Sequence, residues 1–562
     1  MTTWKIGRTT ISLSGQPVPT PAPQTASPAA RPPIFDDIKT ALDARDYARA
    51  GELAEQALAQ GHEHPLVLNL AALRAEEDGR LEEAHARLLR ATELAPADPG
   101  ARNALGLCLS RMERHGEALA AFDEALARAP DFAGAHAARG GTLEALGRLP
   151  EAEAAHRRAL ELQPDNSVAL AGLANIASRR GAHPEARALA ERVLAIQPNY
   201  PDAVRVAAAA ELAGGDADTA QRRLETLIAD PQTSPLQQAL TQGDLGDVLD
   251  AQGRTAEAFA AYAACNMGRW RIYAPTFSGS PSALEFARGM IDRLDAIPAS
   301  AWTGHGAPLP EGVRGHAFLL GFPRSGTTLL EQVLGSHADI ETLEERETLL
   351  PALRAFLTDP SDLDRLAGAS EAELQPLREA YWAGVRAEGA RPEGKLFVDK
   401  HPLNTFKLPL IARLFPQAKI LFARRDPRDV VLSCYRRRFA MSAPAYQMLT
   451  LPGAAGYYDA AMQIAERMAS ANTHVVRHEA LVGDFDATAR AACSFLGLPW
   501  TERLRGFAER VKDRGIATPS GAQLAGGLSA EGIGAWRRYR AQLAPALPRL
   551  APWVTRFGYE AE

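Results

Sequence analysis

Eight residues, Gly321-Phe322-Pro323-Arg324-Ser325-Gly326-Thr327-Thr328, follow the apolar run His316 to Leu320 and lead into a helical pattern from Thr327 to Leu334. A strand, a glycine-bearing turn and a helix start gather backbone N–H groups and the positive end of a helix dipole around one point, which suits an anion. Farther along, Arg425 closes another apolar run, and Ser433 stands eight residues later in a helix that Pro427 can begin. Both side chains can donate to a single phosphate. Two carboxylates, Glu344 and Glu345, and a lysine, Lys400, at the end of Phe397-Val398-Asp399, complete the set. A carboxylate near a hydroxyl proton can act as a general base, and a cation can stabilise charge on a departing oxygen.

The loop is close to that of nucleoside triphosphatases, but Thr327 stands where their lysine neutralises the terminal phosphates. A site lacking that lysine fits a shorter, less charged group. Pro323 to Thr328 together with Arg425-Asp426-Pro427-Arg428-Asp429-Val430-Val431-Leu432-Ser433 resembles the sulfotransferase family, especially the tyrosylprotein sulfotransferase branch and its bacterial relatives. The resemblance runs from about Arg314 to Tyr559. It implies PAPS (3′-phosphoadenosine-5′-phosphosulfate) as co-substrate and adenosine 3′,5′-bisphosphate as product. It assigns the 5′ group to Arg324, Ser325, Gly326, Thr327 and Thr328, and the 3′-phosphate to Arg425 and Ser433. It makes Glu345 the general base, and it puts Lys400 and Arg324 on the departing phosphate oxygen of an in-line transfer that needs no metal.

Other assignments stay open in the sequence. Glu344 and Glu345 could instead open a helix and serve its dipole. Lys400 could be a surface charge after a strand, and His401 a competing base or a loop histidine. Arg436 to Arg438 reads either as a solvated helix face or, with Arg437 one turn past Ser433, as a further 3′-phosphate contact. His478 of His478-Glu479, where the family has Tyr-Glu, is assigned to the nucleotide. Glu347 occupies the place of an arginine that engages acidic peptides in the tyrosylprotein branch, which counts against such an acceptor. Gly534-Ala535-Trp536 resembles the Gly-Arg-Trp segment of the bacterial relatives, with Ala535 for the arginine. The acceptor is a hydroxyl on a protein tyrosine, a glycan or a metabolite. Two other functions compete: a P-loop kinase or NTPase, disfavoured by the missing lysine and the lack of a clear Mg²⁺-binding pair, and a repeat-protein adaptor with a non-catalytic nucleotide-binding domain.

The elements around these residues alternate between short apolar runs and helical stretches: His316 to Leu320 then Thr327 to Leu334, Lys395 to Val398 then Asn404 to Leu414, Lys419 to Ala423 then Pro427 to Arg437, and His474 to Val476 then Asp484 to Phe495. That alternation predicts a parallel sheet in an α/β, P-loop-like three-layer domain. The N-terminal half reads differently. Pro96, Pro130, Pro164 and Pro198 recur at steps of 34, as do Ala84, Ala118, Ala152, Ala186 and Ala220. Small alanines let paired helices approach, and the prolines stop each second helix. A 34-residue helix-pair period resembles the tetratricopeptide (TPR) repeat and predicts an all-α solenoid whose groove could hold a polypeptide partner or acceptor. The predicted organisation is a disordered Pro-rich tail over 1–33, repeats over 34–268, a helical connector over 269–313 and a PAPS-dependent sulfotransferase domain over 314–562.

Composition sets the outer limits. A chain of 562 residues holds more than one domain, and the net charge of −6 gives no reason to expect nucleic-acid binding. Cys108, Cys265, Cys434 and Cys493 lie far apart, so neither a zinc site nor a disulfide framework is expected, and a reducing cytoplasm is the natural setting. Met1 to Ser14 lacks the apolar core of a signal peptide, and no run of about 18 apolar residues predicts a membrane span. His62 and His64 lack further ligands and read as solvated, not metal-binding. Nothing in the sequence fixes an oligomeric state.

Overall fold

The computed structural model describes residues 3–6, 9–12, 32–277, 281–303, 308–514 and 526–561. The proline-rich tail, where disorder is predicted, lies outside the described residues from 13 to 31. Within the tail predicted over 1–33, β1 (Thr3–Ile6) and β2 (Thr9–Ser12) pair antiparallel, so this part departs from the disorder expected there. None of the described helices is long and apolar enough to cross a membrane.

The 34-residue period is a series of helix pairs, among them Pro65–Glu77 with Leu81–Leu94, Pro99–Arg111 with His115–Arg128, and Ala133–Ala145 with Leu149–Leu162. The repeating alanines are where the helices meet: Ala84, Ala118, Ala152, Ala186 and Ala220 are fully buried. The second helices end at Leu94, Arg128, Leu162 and Ile196, each two residues before a proline of the series. The turn within each pair takes left-handed backbone at Gly79, Gly147, Gly181 and Gly215. Arg45 and Glu113, at the same step of 34, adopt that conformation without being glycine, which carries the repeat back to the helix pair Ile34–Asp43 and Tyr47–Ala59. His64 caps the helix Pro65–Glu77, its Nδ1 accepting from Leu66 N at 3.1 Å.

The described chain divides into two compact units, Met1–Ser178 with Ala182–Ala210, and Arg179–Gly181 with Glu211–Glu562. The second contains the helical hairpin Pro235–Ala251 and Thr255–Phe277, the helix Ala283–Ala296, and a five-stranded sheet. Every strand pair in that sheet is parallel, in the order β4 (Ile340–Glu344), β5 (Leu396–Lys400), β3 (Gly315–Leu320), β6 (Lys419–Arg424), β7 (Thr473–Arg477). β3 and β5 are buried almost throughout, as central strands of a parallel sheet must be. Apolar side chains fill both faces: Phe318, Phe322 and Phe397 on one, Leu319, Leu330, Val398 and Leu421 on the other. The three-layer α/β architecture with a preceding helical repeat array is thus as the sequence predicts. One strand was not predicted: β4, whose Ile-Glu-Thr-Leu-Glu sequence is only partly buried at the sheet edge.

Candidate active site at the carboxyl ends of five strands

Each strand of the sheet ends in a residue singled out by type and spacing. The loop from Gly321 to Gly326 leaves β3, Glu345 follows β4, Lys400 is the last residue of β5, Arg425 follows β6, and His478 follows β7. β3 is central, and the chain runs from it to one side of the sheet and then to the other, so the crevice at its carboxyl end is where parallel sheets bind ligands.

The loop after β3 is held from within and from beside. Ser325 Oγ accepts from Phe322 N at 3.2 Å, and Thr405 Oγ1 accepts from Gly321 N at 3.2 Å while donating to the Gly321 carbonyl. Gly326 caps the helix Thr327–Gly335 in left-handed conformation (φ 96°), and a Cβ there would lie 2.7 Å from His478 Nδ1. Ser325, Thr327 and Thr328 are buried. Arg324, also left-handed (φ 71°), donates through Nε to Ser433 Oγ at 3.0 Å. The loop after β3 and the helix Pro427–Arg436 therefore meet at side chains that the family resemblance assigns to opposite ends of one nucleotide.

Positive charge concentrates there. Burial, with the nearby charges of Arg437 and Arg425, pushes the Arg324 guanidinium down to about 9, and Cys434 and Glu345 offset this only in part. Arg425 Nη1 donates to the Arg324 carbonyl at 3.3 Å and Nη2 to the Gly532 carbonyl, while its buried Nε has no partner among the described residues. Burial, with the charges of Arg425 and Arg324, pushes the His478 imidazole down to about 3, so it is neutral at pH 7. The segment carrying Gly532 is anchored by Asp429, which accepts from Gly534 N at 2.7 Å and Trp536 N at 2.9 Å.

Beside this cationic end lies an acidic one built on Lys400. Register sets Glu344 of β4 directly across from Lys400 of β5. The Lys400 ammonium is fully buried and lies 2.8 Å from Glu345, 3.3 Å from Glu331 and 3.4 Å from Glu344. Burial opposes its charge, yet the three carboxylates outweigh that and raise its pKa. Glu345 sits just past the strand with φ 48°, its N–H donating to the Lys400 carbonyl at 2.7 Å. Partial burial would raise the Glu345 pKa, but Lys400, His401 and Arg324 together hold it below the ordinary value. Glu331, on the helix after the loop, is the deepest of the three carboxylates, and burial pushes it up to about 7 against the pull of Lys400.

Residues 317–502 match a sulfotransferase family model, and residues 69–131, 131–199 and 177–243 match tetratricopeptide repeat models. The α/β domain is thus similar to the sulfotransferase family, and the helix pairs to tetratricopeptide repeats. An uncharacterized protein of Aquifex aeolicus is 27% identical over 250 residues, 42% of this chain and 32% of that protein. Protein-tyrosine sulfotransferase 2 of Gallus gallus is 24% identical over 268 residues, 43% of this chain and 69% of that protein. The chain thus spans about a third of the Aquifex relative's length. Among solved structures, the sulfotransferase domain of the Synechococcus PCC 7002 olefin synthase covers 42% of this chain and 91% of that one, at 21% identity and a TM-score of 0.30.

Several sequence alternatives fall in the α/β domain. Lys400 is not a surface charge, since it is fully buried. Glu344 and Glu345 do not open a helix; Glu344 closes β4, and the next helix begins at Leu350. Arg436 to Arg438 is not a solvated face: Arg436 pairs with Asp250 at 2.6 Å and Arg438 with Asp244 and Asp247 at 2.8 and 2.7 Å. The helix stops at Arg436, so Arg437 is not one helical turn past Ser433; its backbone is extended, and it still lies close enough to depress the Arg324 pKa. His401 and Lys407 both pair with Glu347, at 3.2 and 2.7 Å. Burial opposes ionisation of Glu347, but these two cations outweigh it and bring the pKa down to about 2. Sequence reasoning missed Glu331 and Thr405; a glutamate, with Gln332 beside it, between the apolar pairs Leu329-Leu330 and Val333-Leu334 was the available signal for the first.

A cavity of about 660 Å³ opens at the opposite ends of the strands, lined by Gly315, Leu396, Lys419, Trp382 and neighbours. It includes none of the residues above and plays no part in the site.

Proposed function

We propose that this protein transfers the sulfuryl group of PAPS to a hydroxyl acceptor. The observation that carries the proposal is the grouping of Arg425, Arg437 and Ser433 around Arg324, where burial and the two neighbouring arginine charges depress the Arg324 pKa to about 9. Like charges gathered out of water are stable when an anion is bound among them. A nucleotide with a 3′-phosphate and a short 5′ phosphosulfate supplies two such anions. The residues fit it: the loop Arg324–Thr328 at a helix N-terminus would hold the 5′ end, and Arg425, Ser433 and Arg437 the 3′-phosphate. Neutral His478 would stand beside the loop, against the nucleotide.

The reaction is an in-line displacement. The acceptor O–H gives its proton to Glu345 as its oxygen bonds to sulfur. The bond from sulfur to the bridging oxygen breaks, and that electron pair stays on the 5′-phosphate of adenosine 3′,5′-bisphosphate. Glu345 is ionised at neutral pH because Lys400, His401 and Arg324 surround it, so it is ready to accept the proton. Lys400 and Arg324 would stabilise charge on the departing oxygen. These cations supply the neutralisation, so the mechanism uses no metal.

A polypeptide is the favoured carrier of the hydroxyl, because solenoid grooves commonly hold peptides. Four buried cysteines, none joined in a disulfide, support a reducing cytoplasm as the setting. Mass spectrometry of cell-extract components incubated with the protein and PAPS is the test. Products heavier by one sulfuryl group are expected, and they should vanish when the donor is replaced by ATP. Transfer of phosphate from ATP instead would overturn the reading.

A further inference from the structure

The three arginines that follow Ser433 do not behave alike. Arg436 ends its helix and pairs with Asp250 at 2.6 Å, its guanidinium 5.0 Å from the Tyr262 ring and 5.6 Å from Tyr539. Arg438 reaches Asp244 and Asp247 at 2.8 and 2.7 Å. Arg437 between them has extended backbone, φ −91° and ψ 141°. Successive side chains of an extended segment leave on opposite sides. No side-chain hydrogen bond or ion pair engages Arg437 among the described residues, while its charge is the leading one acting on Arg324.

The three aspartates come from one face of the helix Pro235–Ala251, at spacings of three residues. They are themselves fixed. Tyr262 donates to Asp247 at 2.8 Å, and Tyr539 donates to Asp250 at 2.6 Å. The same hairpin grips the backbone on either side of the arginines: Asn266 donates to the Tyr435 carbonyl at 2.9 Å and Arg269 to the Phe439 carbonyl. Gly243 leaves room for Arg438 to cross, since a Cβ there would lie 2.6 Å from Arg438 Cδ. A surface ion pair would gain nothing from so many supports.

We propose that Asp244, Asp247 and Asp250 are positioning residues for nucleotide binding: by tying Arg436 and Arg438 back to the helical hairpin, they leave Arg437 aimed at the 3′-phosphate. This rests on the reading that the pocket takes a 3′-phosphorylated nucleotide. The helical hairpin just ahead of the sheet thereby becomes part of the donor site without touching the donor. Electrostatics alone makes the opposite forecast, because removing an aspartate near a phosphate site should tighten anion binding.

Calorimetry on the full chain separates the two. The probes are adenosine 3′,5′-bisphosphate and adenosine 5′-monophosphate, which differ only in the 3′-phosphate. Asp247→Asn is expected to weaken the bisphosphate about tenfold while leaving the monophosphate unchanged. Asp244→Asn, in which Arg438 keeps the carboxylate that Tyr262 holds in place, should fall between this variant and the parent. In an Arg437→Gln background the Asp247→Asn change should have no further effect on bisphosphate binding, because the two act through one contact. Retained monophosphate binding shows that each variant is folded. If both aspartate variants bind the bisphosphate as tightly as the parent or more tightly, the positioning role is wrong. If the parent itself does not distinguish the two nucleotides, the underlying functional reading fails instead.

Discussion

Arg324 Nε donates to Ser433 Oγ at 3.0 Å, joining the loop after β3 to the helix after β6. Ser433 is therefore a shared partner: it holds the arginine of the 5′ loop and faces the proposed 3′-phosphate. Ser433→Ala is expected to weaken adenosine 3′,5′-bisphosphate binding by about 1 kcal/mol, or roughly five- to tenfold. Arg425→Gln removes a charged donor and should cost about 2–3 kcal/mol. Titration calorimetry of both variants checks the order; equal or negligible losses would remove these residues from the phosphate site.

Glu345→Gln keeps the size of the side chain and its contact with Lys400 while removing its basicity. Turnover should fall by roughly 10²–10⁴ with bisphosphate binding near normal. Since neighbouring cations depress the Glu345 pKa, the parent enzyme should hold its rate down to the ordinary carboxylate pKa of 4.5 and lose it only below. Single-turnover rates against pH measure both effects. An acid limb near pH 6 to 7 would point to a histidine base instead.

Glu331 makes a stability prediction of opposite sign. Its folded-state pKa is raised from 4.5 to about 7, chiefly by burial. A raised carboxyl contributes stability that is fully present below 4.5 and is lost as the pH rises through 7. Glu331→Gln escapes that loss, so above pH 8 it should be more stable than the parent by roughly 1–3 kcal/mol, with the gap closing toward pH 4.5. Urea unfolding at several pH values reads this directly, and a variant less stable at every pH would contradict it.

Gly326→Ala combines a left-handed backbone (φ 96°) with a Cβ 2.7 Å from His478 Nδ1. It should destabilise the protein by about 1–3 kcal/mol. Adding His478→Ala should recover the steric part and leave the backbone part. Thermal unfolding of the single and double variants tests this; full recovery would mean that the backbone conformation costs nothing.

Much of this arrangement was legible because it is local in the chain. The loop Gly321–Thr328, the Arg425–Ser433 spacing and the 34-residue alanine and proline series each encode a short-range geometry, and each stands where its pattern implied. What escaped reading depends on register or on distant pairing. β4 was missed because an edge strand needs few apolar residues, and its Glu341 and Glu344 disguise it. Without that strand, Glu345 seemed able to begin a helix. Lys400 could not be seen as buried until register placed Glu344 beside it. The aspartates that hold Arg438 lie 191 residues earlier or more, beyond the reach of any periodicity.

The central claim is that the crevice binds a nucleotide with separated 3′ and 5′ anions and no triphosphate. Competition calorimetry with adenosine 3′,5′-bisphosphate and ATP, each with and without magnesium, tests it most directly. The account predicts that the bisphosphate binds the full chain independently of magnesium and displaces any bound ATP. Preferential, magnesium-dependent binding of ATP, with no heat from the bisphosphate, would contradict it.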